Sequence, residues 1–179
     1  FMRNQVGFEL SRIIGMEWTP ATAPVEVVLN GDYIGLYFLT ETIRVDKDRV
    51  NIVEQEDEET DPTAITGGWL VEIDNYDTDP HVTIKEGDNR HDIWFTYKTP
   101  EVLSKAQETF LGDEMTRIDN LVYGDKNSDE LWQYLDMDAL AKFYIVQEIM
   151  DNYESFHGSC YLYREKGDGQ KWKFGPVWD

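Results

Sequence analysis

The sequence predicts an α+β domain, with antiparallel β-hairpins in its N-terminal half and helices followed by a β-hairpin in its C-terminal half. Three observations carry that expectation. Residues 25–43, VEVVLNGDYIGLYFLTETI, place two β-rich runs around Asn30-Gly31, the dipeptide that best tolerates the positive φ angles of a type I′ turn. Beyond Thr99 the apolar residues fall at helical spacing. Residues 159–178, SCYLYREKGDGQKWKFGPVW, return to strand character about a Gly-Asp-Gly turn.

Taken in order, residues 3–20 open with a helix carrying Val6, Leu10, Ile13 and Ile14 on one stripe, and Gly15 is its expected stop. The Asn30-Gly31 hairpin follows. EQEDEETD (residues 54–61) reads as a solvated acidic loop. GGWLVEIDNY, HVTIKEG and DIWFTYKT read as further strands. Thr99, ahead of Pro100 and Glu101, is the expected cap of a helix whose apolar stripe is Leu103, Phe110, Leu111, Met115 and Ile118. SDELWQYL makes a short helix, and DMDALAKFYIVQEIM a longer one capped by Asp136 or Asp138. No repeat and no linker interrupts the 179 residues, so one domain is expected over 1–179. Phe1 in place of an initiator Met and the stop at Asp179 read as the ends of a piece truncated at its C-terminal side.

Composition narrows the function. With 16 basic against 36 acidic residues the net charge is -20. Such a surface repels phosphate backbones, which argues against a nucleic-acid partner. A bare nucleotide is repelled as well, so ATP would need Mg²⁺ or a local basic group. No apolar run reaches membrane-spanning length. The single Cys160 excludes an internal disulfide and a cysteine-cluster zinc site.

The densest group of hydrogen-bonding side chains is DNYESFHGS, residues 151–159, at the joint between the last long helix and the final hairpin. Asp151 and Asn152 read either as turn residues ending the helix or as chemistry-bearing groups. His157 reads as a hydrogen-bonded loop residue. DNYDTD, from Asp74 to Asp79, reads as a polar turn rather than a calcium loop, lacking the central Gly and the terminal Glu. The six tryptophans read mainly as packing residues, with a sugar platform as the other reading.

Helix, polar loop, hairpin and closing Asp is also the order of the catalytic half of protein kinases, where acids from separate segments converge on one metal-bound phosphate. NGDYIGLYFLTE, GGWLVEIDNYD, YKTPE and DNYESFHGSCYLYRE…KWKFGPVWD together resemble the CotH family of atypical secretory kinases, over essentially the whole chain. The resemblance implies a kinase-like fold, Mg²⁺ and ATP as cofactors, and transfer of phosphate to Ser or Thr of a secreted or surface protein. It further implies a bacterial, extracellular or cell-surface location. By position it makes Asp179 the metal-binding aspartate and Glu154 the counterpart of the catalytic aspartate, with Asp151 as the alternative base. Ser159 stands where a metal-binding Asn is expected, with Asn152 as the other candidate for the metal shell. Lys98 in YKTPE is the candidate phosphate-binding lysine, and Glu41 the carboxylate that orients it.

Two departures accompany the likeness. Glu for Asp adds about one methylene, and placement errors near 1 Å can cost on the order of a hundredfold in rate. Ser for Asn supplies a poorer ligand. An alternative reading is therefore a surface binding or adhesion module, carbohydrate-associated or not, that keeps the fold without the chemistry.

Overall fold

The computed structural model describes residues 2–76, 78–85, 92–124 and 129–178. Asp179, the expected metal aspartate, lies outside the described residues.

Helix α1 (Arg3–Ile13) ends where expected, with Gly15 left-handed at φ 78°. Its buried face is Gly7, Phe8 and Ser11, whereas Val6 and Ile13 are exposed. Of the expected stripe, Leu10 and Ile14 do pack against the core, so its phase is only partly met. The helix packs on a later helix and stacks Phe8 on Trp178 (ring centroids 6.1 Å apart), and that long-range docking selects the face.

Strands β1 (Thr22–Leu29) and β2 (Asp32–Thr40) pair in the expected hairpin, with Leu29 opposite Asp32. Asn30 and Gly31 take the two left-handed positions, at φ 53° and 94°. The acidic run 54–61 is exposed except at Glu59, which is half-buried, and at Gln55, which is buried and whose amide donates to the Gly67 carbonyl oxygen at 2.6 Å.

Strands β3 (Trp69–Ile73), β4 (His81–Ile84), β5 (Ile93–Thr99), β6 (Cys160–Arg164) and β7 (Lys173–Phe174) form one antiparallel sheet in the order β4-β5-β3-β6-β7. The C-terminal hairpin thus completes the sheet begun by the first half, with β6 beside the central β3. Alternation along β3 sends Trp69 and Val71 to one face and Leu70 and Glu72 to the other. The first face carries the main core, closed by helices α2 (Lys105–Tyr123) and α4 (Met137–Ile149) through Leu111, Met115, Phe143 and Val146. The second face carries a smaller cluster of Leu70, Tyr161, Tyr163 and Val50, with Trp18 and Trp178 against it.

Helix α2 starts at Lys105 rather than after Thr99, which ends β5. Ser104 and Gln107 make the reason plain. The Ser104 hydroxyl accepts from Gln107 N at 3.1 Å, and the Gln107 side chain accepts from Ser104 N at 2.8 Å, a reciprocal capping box. After the short helix α3 (Leu131–Tyr134), α4 is capped by Asp136, which accepts from Ala139 N at 2.9 Å. Asp138 instead pairs with Lys142 at 2.6 Å.

Candidate functional site

Helix α4 ends in a tightly determined joint. Asp151 is left-handed at φ 51°, which turns the chain out of the helix. Asn152 N donates back to the Gln147 carbonyl at 3.0 Å. Arg3, from the first turn of α1, donates through Nη2 to the carbonyls of Met150 (2.9 Å) and Asp151 (3.0 Å). A cation is favourable at the negative end of a helix, so Arg3 both satisfies end carbonyls and ties α1 to the joint.

The loop that follows is held by Asn152. Its Nδ2 donates to Gln147 Oε1 at 3.0 Å, and its Oδ1 accepts from Glu154 N at 3.3 Å. The Glu154 carbonyl then accepts from His157 N at 2.8 Å and Gly158 N at 3.2 Å. The amide of Asn152 works chiefly as a latch between helix and loop. That role is legible in its type, since Asn side chains favour such turns.

Beside this loop lies a cleft of about 320 Å³ lined by Asn152, Glu154, Ser159, Asp74 and Arg3. Three of the expected site residues therefore share one space. Glu154 is exposed, with its backbone N–H and carbonyl both hydrogen-bonded within the loop. Ser159 is left-handed at φ 50°, immediately before β6. Asp151 is not among the lining residues; its carbonyl holds Arg3 instead.

Asp74 was not singled out as a site residue by the sequence. Ile73 pairs with Cys160, so the next residues outward, Asp74 and Ser159, face each other across the ends of β3 and β6. A Cβ on Gly158 would lie 3.6 Å from Asp74 Oδ1, which shows how closely the loop and this carboxylate approach. The available signal was alternation: Leu70, Glu72 and Asp74 are two apart on the strand and share a side.

One step back along β3, Glu72 meets Lys98 of β5, with Nζ 3.1 Å from Oε2. Lys98 is also 3.3 Å from Asp79 Oδ2. The expected partner Glu41 is elsewhere; its Oε2 accepts from Ala21 N at 2.8 Å at the base of the β1–β2 hairpin. The Glu72 side chain is only 6 % exposed and that of Lys98 27 %. Depth decides their titration. Burial pushes the Glu72 carboxyl above the usual range even against the pull of Lys98 and Tyr161. Lys98 sits nearer water; burial lowers its pKa, but Glu72 and Asp79 more than offset this and raise it. An acid inside the otherwise apolar WLVEI was the missed signal. Lys98 does not line the Glu154 cleft.

The cleft donors are carboxylate, hydroxyl and amide oxygens, the hard set that suits Mg²⁺ rather than a soft metal. Among the described residues no three acid, His or Cys side chains converge to hold an ion by themselves. Mg²⁺ commonly takes only one or two carboxylates and completes its shell with water and phosphate oxygens. Asp74, with Ser159 beside it, fits that demand. Trp69 and Trp172 are buried in the core, and Trp18, Trp94, Trp132 and Trp178 are half-buried. Among the described residues no helix is long and apolar enough to cross a membrane.

Comparison with known proteins gives one family. The sequence profile described as CotH kinase protein matches residues 1–179, the whole chain. No curated protein and no solved structure matches.

Proposed function

This chain belongs to the CotH kinase protein family, and on that premise we propose that its cleft transfers the γ-phosphoryl group of ATP to a Ser or Thr hydroxyl of an exported or surface protein. The observation that carries this reading is the meeting of Glu154, Ser159 and Asp74 in one cleft at the joint after α4. A kinase-like function follows from the family; the acceptor class, ATP and Mg²⁺ are the finer reading.

In this scheme the acceptor hydroxyl lies against Glu154, whose carboxylate orients it and takes its proton. The new bond joins that oxygen to the γ-phosphorus, the bond to the β,γ-bridging oxygen breaks, and ADP leaves with the electron pair. Asp74, Ser159 and Asp179 are the residues that would hold Mg²⁺, which supplies charge neutralisation at the phosphates when bound. Glu72, not Glu41, is the carboxylate paired with Lys98, and this pair stands outside the cleft. The work asked of the protein is positioning and electrostatics.

The test is incubation of the chain with γ-labelled ATP, Mg²⁺ and a Ser/Thr-rich acceptor protein. Label in the acceptor, abolished by Glu154→Gln, supports the reading. No label with any acceptor, in a chain that still binds Mg·ATP, favours the second reading, a binding module that has lost transfer. The observations favouring that second reading are Glu and Ser at positions 154 and 159 and the engagement of the Asn152 amide within its own loop.

A further inference from the structure

We infer that Arg3 is the phosphate-gripping side chain of the cleft, contacting the polyphosphate of the nucleotide from the first turn of α1. The inference rests on the phosphotransfer reading and adds a residue outside the loop and its motifs.

The argument begins with charge. Arg3 is the single cationic side chain among the described residues lining the cleft, where Asp74 and Glu154 are its acidic counterparts. The chain as a whole carries -20. Triphosphate entering between two carboxylates of so acidic a protein meets repulsion unless a cation faces it. The lysine expected to do this, Lys98, lies outside the cleft and is engaged by Glu72 and Asp79.

Geometry then favours Arg3. Its bonds to Met150 O and Asp151 O both leave from Nη2. The guanidinium is thereby fixed in orientation while its Nη1 and Nε donors remain for a ligand. No salt bridge ties it to any carboxylate of the described residues, and it is exposed. An oriented guanidinium with N–H groups still unengaged can donate charge-assisted hydrogen bonds to phosphate oxygens. The same two bonds link the ligand to the loop. A phosphate drawn onto Arg3 is held by a group already clamped to the residues preceding Asn152 and Glu154, so binding and placement of the acceptor-facing loop share one anchor.

The test is calorimetric titration of the chain, Arg3→Gln and Arg3→Lys with three probes: Mg·ATP, Mg·tripolyphosphate and adenosine. A charge-assisted contact predicts a loss of roughly ten- to a hundredfold in Mg·ATP and tripolyphosphate affinity for Arg3→Gln, with adenosine unchanged. Arg3→Lys should fall between, because it keeps the charge but not the fixed orientation that the two carbonyl bonds give the guanidinium. If Arg3→Gln binds Mg·ATP as the parent does, or loses all three probes by a common factor, Arg3 only secures the end of α4 and the inference is overturned. If the parent chain binds no nucleotide at all, the phosphotransfer reading itself falls and the inference goes with it.

Discussion

Glu72 and Lys98 face each other across β3 and β5 at 3.1 Å, and the acid is the deeper of the two. Removing one partner of such a pair strands the other. Glu72→Ala should therefore cost about 1–3 kcal/mol in denaturant unfolding, below the ~3–5 kcal/mol of fully buried pairs because Lys98 reaches water and Asp79 remains. A double-mutant cycle with Lys98→Met should show a coupling energy above ~0.5 kcal/mol. Glu41→Ala should leave Lys98 chemistry and nucleotide affinity unchanged, since Glu41 only closes the hairpin base.

Asn152 holds the loop through both ends of its amide. Asn152→Ala leaves the buried Gln147 amide without this partner and should destabilise the chain by about 1–2 kcal/mol. Hydrogen exchange should quicken at Glu154 and Ser155 while α2 stays protected. Equal loosening of both regions would mean that the latch is not local.

Glu154 is exposed and its carboxylate has no described structural task. Glu154→Gln should leave thermal stability within about 0.5 kcal/mol of the parent, as surface changes do. Phosphotransfer should nonetheless fall by on the order of a hundredfold or more, the scale of a lost general base. A large fall in melting temperature would instead assign the residue to the fold.

Glu17 accepts from the Tyr163 hydroxyl at 2.7 Å and from Lys173. Burial tends to raise its carboxyl pKa, but Lys173 and Tyr163 outweigh that and hold it below the ordinary 4.5. A carboxyl with a depressed pKa contributes stability that is present above 4.5 and lost as pH falls through the lower folded value. The stability gap between the parent and Glu17→Gln should thus shrink below pH 4.5. A gap independent of pH would show that the pairing contributes nothing through its charge.

How much of this was legible in the sequence depended on range. Asn30-Gly31 specified its hairpin because a two-residue turn is a local problem. The start of α2 was readable in SKAQ, residues 104–107, a stronger signal than Thr99-Pro100. Val6 and Ile13 misled because the phase of α1 is set by α4 and Trp178, contacts remote in sequence. At the site, the 151–159 stretch showed its concentration of polar groups, yet two of its neighbours did not. Asp74 arrives through the β3–β6 register and Arg3 through the docking of α1, and no spacing rule links residues so far apart in the chain. The choice of Glu72 over Glu41 for Lys98 likewise needed the β3–β5 pairing.

The most direct measurement is paramagnetic broadening of backbone amide resonances by Mn·ATP. A nucleotide held in the cleft predicts selective loss of the signals of Asp74, Glu154 and Ser159, and of Arg3 with them, while those of the β1–β2 hairpin persist. Signals at the cleft that stay sharp at saturating Mn·ATP, or broadening centred on another part of the molecule, would contradict the account.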